Sequence, residues 1–287
     1  MISETNRKES GAFQTFTDVN FPVDGTLTGS GKCERRCLVP PQQYLYSKIR
    51  NVPKESPHSA AWLYICAMKS DAVIFDMDGL LIDSEPLWEE AGAELLKEFN
   101  IELTPEQYHS STGLRTVEWI AHWFNFFKIE EQYANNAVTG IINKAIDKIE
   151  KHGVAMPGVP EIFAFFKDRG FRMAIATSSP IKLANIVADK LNIRHYLSSI
   201  TSAEALQYGK PHPEVYLNCA MQLGVSPSQC ICFEDSFNGM IAVKAARMKC
   251  VVVPAPSVFN AGKWDAADLK LQSLAQFGEE QLNGLMQ

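Results

Sequence analysis

The chain has 287 residues and a mass of 32.0 kDa, and 46% of its residues are hydrophobic and 21% charged. It therefore carries enough apolar side chains to bury a large core, which excludes general disorder. A net charge of −6 and a pI near 5.6 argue against a nucleic-acid-binding protein, because such proteins usually carry a basic surface that displaces counterions from phosphates. No apolar run reaches the roughly 18 to 20 residues of a membrane span.

Residues 1–67 differ in pattern from the rest of the chain. They contain five prolines and no sustained period of 3.6 or 2. The run from Gly25 to Lys32 is similar to a phosphate-binding loop, but Thr26 and Cys33 stand where that loop needs a glycine and a hydroxyl. We expect a poorly structured N-terminal extension, and Met68 is a candidate for the true start because regular patterning begins directly after it.

Seven cysteines are spread along the chain without the spacing of a disulfide framework. Cys33 and Cys37 have the spacing of half a zinc site, but no second Cys or His pair follows at the distance of a zinc finger. Unpaired thiols are therefore the favoured interpretation, and they indicate a reducing cytoplasm. Because the chain has no repeats and no coiled-coil heptads, we expect a monomer.

From Lys69 onward, short apolar runs alternate with segments of helical length, a pattern typical of a parallel α/β sheet. The predicted strands are residues 72–75, 171–176, 230–233 and 250–253. Hydroxyl residues that precede a proline mark helix starts, for example Thr104 and Ser179.

The alternation stops between Glu85 and about His152, where only helical periodicity remains. The sequence therefore predicts a Rossmann-like core of residues 68–84 and 153–287, with an all-helical cap of residues 85–152 inserted after the first strand. An aromatic stripe runs from Trp119 to Phe127 inside this insert. Aromatic residues at helical spacing more often pack in a core than line a pocket, so packing is the favoured interpretation.

Two aspartates follow the first predicted strand. Asp76 and Asp78 are two positions apart, so on an extended strand end their carboxylates face the same side, and Gly79 allows a sharp turn beyond them. Two close carboxylates repel each other unless a cation compensates, and Mg²⁺ prefers oxygen ligands. The carboxyl end of a parallel strand is where open α/β sheets bind ligands, so this pair is a candidate metal and catalytic site.

Three more polar groups follow later strands or lie in a rigid loop. Thr177, Ser178 and Ser179 stand before a helix, where hydroxyls and backbone N–H groups bind anions, although Ser179 could be only a helix cap. Lys210 precedes the first of two prolines that stiffen its loop, and a fixed ammonium would offset the charge of a phosphate. Glu234 and Asp235 form a second acidic pair after a strand.

These motifs, in this order, resemble those of the haloacid dehalogenase superfamily, in the branch with a helical cap after the first strand. The resemblance spans residues 69–255. Asp76-x-Asp78-Gly79 is similar to the first motif, Thr177 to the second, Lys210 to the third and Glu234-Asp235 to the fourth. Within the branch, the chain is similar to the bacterial hexitol phosphatase and 2-deoxyglucose-6-phosphate phosphatase group in the segments Asp78 to Trp88, Thr112 to Arg115, Lys210 to Tyr216 and Glu234 to Met240.

The resemblance implies a role for each of these residues. Asp76 would attack phosphorus and form an aspartyl-phosphate, and Asp78 would act as general acid and then general base. Mg²⁺ would be held by Asp76, the backbone carbonyl of Asp78 and Asp235, with Glu234 in or beside that shell. Thr177 and Lys210 would bind the phosphoryl oxygens. The candidate substrate-binding residues are Glu85, Arg115, Ser178 and Ser179.

Two alternatives remain beside a phosphatase of small sugar or sugar-alcohol phosphates. A β-phosphoglucomutase-type transferase would use the same core and cap, but such mutases have a basic residue after the second motif where this chain has Pro180. A non-catalytic sugar-phosphate-binding relative would generally have lost one of the four motifs, and all are present. The sequence does not select among 2-deoxyglucose 6-phosphate, sorbitol 6-phosphate and mannitol 6-phosphate.

Overall fold

The computed structural model describes residues 72–111 and 113–287. The N-terminal extension, Met68, Cys33, Cys37 and Thr112 lie outside the described residues. In the described part of the chain, none of the helices combines the length and the apolar character that a bilayer span requires.

Six parallel strands form one sheet in the order β3-β2-β1-β4-β5-β6. The strands are β1 (Ala72–Phe75), β2 (Arg172–Thr177), β3 (Leu197–Ser202), β4 (Cys230–Glu234), β5 (Lys249–Val252) and β6 (Leu269–Lys270). All four residues of β1 are fully buried, as expected for a central strand covered on both faces. The predicted parallel α/β core is confirmed, and each predicted strand lies within one residue of an observed one.

Helices cover both faces of the sheet. They are α5 (Val159–Asp168), α6 (Ile181–Lys190), α7 (Glu214–Leu223), α8 (Phe237–Ala245) and α9 (Glu279–Met286). Because side chains alternate along a strand, Val73 and Phe75 belong to one buried apolar cluster and Ala72 and Ile74 to the other. The first cluster extends without interruption into the helical insert.

The insert between β1 and α5 contains four helices. They are α1 (Glu85–Leu96), α2 (Pro105–Ser110), α3 (Thr116–Phe127) and α4 (Ala134–His152). Ion pairs join α1 to α4, with Lys148 Nζ 2.8 Å from Glu90 and 2.9 Å from Glu94. The prediction of an inserted all-helical cap is confirmed.

The chain enters and leaves the insert through two adjacent segments. Ile82 on the way in forms an antiparallel bridge with Ala155 on the way out. Beside this bridge, Asp83 N donates to Val154 O at 2.9 Å, and Met156 N donates to Leu81 O at 3.0 Å. Backbone hydrogen bonds therefore tie the two crossings together between the sheet and the insert.

Candidate active site

A cavity lies between the carboxyl ends of β1, β2 and β4 and the helices of the insert. This position follows from the topology, because the carboxyl ends of parallel strands meet at one edge of the sheet. Asp76 continues β1 beside β4, where its N–H donates to Phe233 O at 2.9 Å. Eight of the sequence-predicted site residues line the cavity: Asp76, Asp78, Glu85, Thr177, Ser178, Ser179, Lys210 and Asp235. The unpredicted Ser236 lines it as well.

Lys210 is buried between two carboxylates. Its ammonium, 2% exposed, lies 2.5 Å from Asp76 Oδ1 and 2.5 Å from Glu234 Oε1. Burial alone would lower the pKa of Lys210, but Asp76 and Glu234 raise it above its ordinary value. The lysine is therefore held as a cation directly beside the predicted nucleophile, where it can also bind a phosphoryl oxygen.

Glu234 is fully buried and saturated with hydrogen bonds. Its Oε1 accepts bonds from Lys210 Nζ and from Tyr216 OH at 2.5 Å, and its Oε2 accepts bonds from Asp235 N, Ser236 N and Ser236 Oγ at 3.1 to 3.2 Å. A Cβ on Gly239 would overlap the Glu234 carboxylate, so the first turn of α8 needs glycine there. Glu234 does not line the cavity. Its Oε1 holds the ammonium of Lys210 in place.

Three acidic side chains converge at the same edge of the sheet. Asp76, Glu234 and Asp235 each offer a carboxylate oxygen, and these oxygens lie within 4.8 Å of one another. Burial raises the pKa of Asp76 and that of Asp235 well above their ordinary values, and the neighbouring carboxylates raise both further. A divalent cation would relieve this repulsion. The oxygen-only donor set fits Mg²⁺.

The loop after β1 is shaped to let Asp235 approach. Gly79 has a φ of +72°, and a Cβ there would overlap Asp235 Oδ2. Glycine therefore serves two needs at this position, a left-handed backbone and a close contact with a carboxylate of the acidic cluster.

The carboxylate of Asp78 is separate from the acidic cluster and is held by four donors. Oδ1 accepts bonds from Ser84 Oγ at 2.7 Å and Trp88 Nε1 at 2.9 Å. Oδ2 accepts bonds from Ser179 Oγ at 2.7 Å and Thr177 Oγ1 at 3.5 Å. With its side chain so engaged, Asp78 would contribute to a metal site through its backbone carbonyl, as the resemblance implies.

The hydroxyl groups after β2 form hydrogen bonds other than those of a helix cap. Ser179 donates to Asp78, and α6 has no side-chain capping bond, so the alternative that Ser179 is only a cap is wrong. Thr177 is fully buried and its Oγ1 accepts the N–H of Ser179 at 3.0 Å. Ser178 Oγ donates to Gly113 O at 3.1 Å, which joins the core to the loop before α3.

The insert contributes an aromatic wall to the cavity. Trp88, Tyr108 and Trp119 line it, and Glu85 lies beside them. Trp123 instead lies in the core of the insert, while Phe126 is 58% exposed. The packing interpretation of the stripe holds for Trp123. Trp119 also packs against the buried core cluster, but it lines the cavity as well, and Gly92 on α1 leaves room for its indole, which lies 3.1 Å from where a Cβ would be.

Glu85 is the one acidic side chain that the insert places in this cavity. Burial raises its pKa to about 8, and the nearby charges of Asp78, Glu89 and Asp83 add to the rise. A carboxyl group held neutral can donate a hydrogen bond as well as accept one.

Arg115 is not found in the cavity lining, contrary to the expectation that it contacts the substrate. Its guanidinium is buried and donates to backbone carbonyls of residues 203–207 and to Glu118. The reason is the length of the side chain, which reaches from the start of α3 across to the loop after β3. In this arrangement Nη1 and Nη2 bind the protein, while Nε is buried without a hydrogen-bond partner among the described residues.

Sequence reasoning missed Ser84, Trp88, Ser236 and Tyr216. One signal was available for the first two, because Ser84 and Trp88 are four residues apart at the start of α1 and so share a helix face. Tyr216 and Ser236 come to the site only through the packing of α7 and α8 on the sheet, which the sequence pattern does not reveal.

Comparison with known proteins agrees with this architecture. Residues 70–247 match the haloacid dehalogenase-like hydrolase family. The chain is 40% identical to hexitol phosphatase B of Escherichia coli K12 over 214 residues, which cover 74% of this chain and 96% of that protein. It is 30% identical to a phosphorylated carbohydrates phosphatase of Thermotoga maritima, covering 61% of this chain and 81% of that one.

A solved β-phosphoglucomutase from Clostridium difficile has the same fold. The superposition has a TM-score of 0.67 at 24% identity and covers 75% of this chain and 96% of the mutase. At this identity the likeness concerns the fold, which is shared by proteins with different reactions.

Proposed function

Since the chain belongs to the haloacid dehalogenase-like hydrolases and is a phosphatase, we propose that it hydrolyses small sugar or sugar-alcohol phosphates. Hexitol 6-phosphates and 2-deoxyglucose 6-phosphate are the proposed substrates, and Mg²⁺ is the proposed cofactor. The similarity to hexitol phosphatase B over 96% of that protein's length supports this substrate class.

The observation that carries the proposal is the composition of the cavity's two walls. The core wall presents Asp76, Asp78 and Lys210, which suit a phosphate group, and the opposite wall presents the indoles of Trp88 and Trp119. Aromatic faces with a polar edge suit a polyol, because its C–H groups are apolar and its hydroxyls need hydrogen-bond partners. Glu85 is the proposed partner of a substrate hydroxyl.

In the proposed first step, an oxygen of Asp76 attacks phosphorus and the bond to the sugar oxygen breaks. Asp78 donates a proton to that leaving oxygen, so that an alcohol departs. Lys210 stabilises negative charge on the phosphoryl oxygens, and Thr177 offers a hydroxyl beside them. These steps leave an aspartyl-phosphate on Asp76.

In the proposed second step, Asp78 removes a proton from a water molecule that attacks the same phosphorus. The bond between phosphorus and Asp76 breaks, and inorganic phosphate leaves. Four donors around Asp78 support this double role, because they fix its carboxylate at one place for both proton transfers. Bound Mg²⁺ would supply charge neutralisation between the phosphate and the carboxylates of Asp76 and Asp235.

The decisive experiment measures inorganic phosphate release from hexose, deoxyhexose and hexitol 6-phosphates, with Mg²⁺ and with a chelator. Asp76→Asn is the test variant. Asp147→Asn is the matched control, because Asp147 is exposed on α4 and its ion pair in the described part of the chain is with Lys151. Mg²⁺-dependent release that is lost in Asp76→Asn alone is the expected result. Release by Asp76→Asn at the wild-type rate would contradict the mechanism.

A phosphotransferase of the mutase type is tested by the same preparations. It would convert β-glucose 1-phosphate in the presence of a bisphosphate primer and release little phosphate. We propose hydrolysis instead, because the residue after the hydroxyl cluster is Pro180, which offers no positive charge to a second phosphate.

A cytoplasmic, monomeric enzyme is also proposed. Among the described residues, Cys219, Cys232 and Cys250 are buried free thiols, which supports a reducing compartment.

A further inference from the structure

Arg115 connects the insert to the loop that carries Lys210. It stands directly before α3, and the residue is buried, at 8% exposure. Nη1 donates to Leu206 O at 2.6 Å and to Ala203 O at 3.1 Å, and Nη2 donates to Gln207 O at 3.3 Å. One side chain of the insert therefore binds three carbonyl oxygens of the backbone that leads from β3 towards Lys210.

Glu118, one helical turn after Arg115, completes the connection. Its Oε1 accepts bonds from Arg115 Nη2 at 2.6 Å and from the backbone N–H of Gly209 at 3.1 Å, and its Oε2 accepts the N–H of Arg115 at 3.2 Å. Burial works to raise the pKa of Glu118, but the bonds from Arg115 and Gly209 lower it below its ordinary value. The carboxylate is therefore held as an anion, joined to the residue next to Lys210.

Gly209 is in direct contact with both members of this pair. A Cβ on Gly209 would overlap Glu118 Oε2 and would lie 2.7 Å from Arg115 Nε. Any side chain at this position would push the pair and the loop apart. The insert and the loop are thus in tight contact at Gly209, the residue that precedes Lys210.

We propose that Arg115 and Glu118 form a latch, a pair of positioning residues through which the docked insert fixes the Lys210 loop for phosphoryl transfer. The inference rests on the proposed function, because it assigns the latch to the reaction in which Lys210 takes part. Lys210 must lie close to both Asp76 and Glu234, and a displacement of about 1 Å in an active site lowers rates by about 100-fold. The latch makes this placement depend on the docking of the insert.

The latch and the substrate-contact hypothesis for Arg115 predict different kinetics. If Arg115 contacts the sugar, its removal raises KM for sugar phosphates and leaves p-nitrophenyl phosphate, which has no sugar, unaffected. If Arg115 belongs to the latch, its removal instead lowers kcat for every phosphomonoester, because Lys210 serves all of them.

The test compares wild type with Glu118→Gln, Arg115→Ala, the double variant Arg115→Ala/Glu118→Gln and Gly209→Ala on a sugar phosphate and on p-nitrophenyl phosphate. We expect kcat to fall by about 10- to 100-fold on both substrates, while KM changes by less than about threefold. Because the two residues act as one unit, kcat of the double variant should be no lower than that of Arg115→Ala. The matched control is Glu131→Gln, at an exposed position. Gly209→Ala removes no polar group, so it tests the latch even if Arg115→Ala fails to fold.

Amide hydrogen exchange of residues 203–210 provides a readout that does not need activity. The latch predicts faster exchange there in Glu118→Gln than in Glu131→Gln, with other segments of the sheet unchanged. A rise in KM limited to sugar phosphates, an unchanged kcat, or unchanged exchange in this loop would each overturn the proposal. If the wild-type enzyme releases no phosphate from any substrate, the proposed function fails, and the exchange experiment decides the latch independently.

Discussion

Trp88 of the insert donates its indole N–H to Asp78 of the core at 2.9 Å. The same carboxylate oxygen accepts the Ser84 hydroxyl, so a cap residue and a core residue together hold the proposed general acid–base. Docking of the insert therefore helps to position the group proposed for proton transfer, in addition to its proposed role in substrate choice.

Trp88→Phe tests this contact, because it retains most of the aromatic bulk and removes the donor. A hydrogen bond to a charged group contributes about 1.5 to 3 kcal/mol, so we expect kcat to fall by at least about tenfold. The control is Trp123→Phe, whose indole donates to Ser111 Oγ at 3.3 Å, away from Asp78. Equal losses in the two variants would show that packing of the insert, rather than the bond to Asp78, governs the rate.

Lys210→Met removes the cation between Asp76 and Glu234. Breaking a buried ion pair leaves uncompensated charge and costs about 3 to 5 kcal/mol, so we expect a clearly lower melting temperature together with a loss of at least about 100-fold in kcat. Thermal denaturation and steady-state kinetics measure the two effects. Lys182→Met, at an exposed position of α6, is the control, and a Lys210→Met protein as active as this control would refute the role of the ammonium.

Asp235→Asn is expected to change stability in opposite directions with and without metal. In metal-free protein at pH 7, burial and the neighbouring acidic groups, which raise the pKa of Asp235, impose a cost on the folded state that asparagine avoids, so the melting temperature should rise. Wild type should be stabilised by millimolar Mg²⁺, since a ligand that binds only the folded state shifts the unfolding equilibrium. The variant should lose this response, and a variant that retains it would show that the metal is held elsewhere.

Glu85→Gln tests the raised pKa of Glu85 through the pH dependence of stability. Between the unfolded value of 4.5 and the folded value of about 8, the folded protein binds more protons than the unfolded one. The contribution of the neutral carboxyl is therefore complete below pH 4.5 and is lost as pH rises to about 8.

In chelator-treated protein, the melting temperature of wild type should accordingly fall relative to that of Glu85→Gln as pH rises from 5 to 8. Glu131→Gln, at an exposed position outside the groups that shift the pKa of Glu85, provides the control. Parallel pH profiles for wild type and Glu85→Gln would mean that Glu85 is already ionised at pH 5 in the folded protein.

The sequence predicted the central strands and the residues that follow them, for a physical reason. Strands buried on both faces are short apolar runs, and acidic residues directly after such runs stand out in β1 and β4. The edge strand β3, Leu197–Ser202, escaped prediction because its side chains are mostly only partly buried and include three serines and a threonine. Edge position weakens the apolar pattern that makes strands visible.

Side-chain partners were less predictable than positions. Glu234 was expected in or beside a metal shell, but its link to Lys210 depends on how the loop before α7 folds over the end of β4. Arg115 was predicted to bind the substrate, whereas its backbone partners in the structure lie 88 to 92 residues further along the chain. Such long-range contacts arise from packing of the insert on the core, which local pattern does not encode.

The paired crossings at Ile82 and Ala155 have a consequence for how this protein can diverge. Because the insert leaves and rejoins the sheet at neighbouring points that are bonded to each other, its length and sequence can change without shifting the register of β1 or the spacing of the residues after it. Substitutions in the aromatic wall can therefore accumulate independently of the reacting carboxylates. The exceptions are Trp88, Gly113 and Arg115, whose contacts join the insert to the core and therefore tie changes on one side to changes on the other.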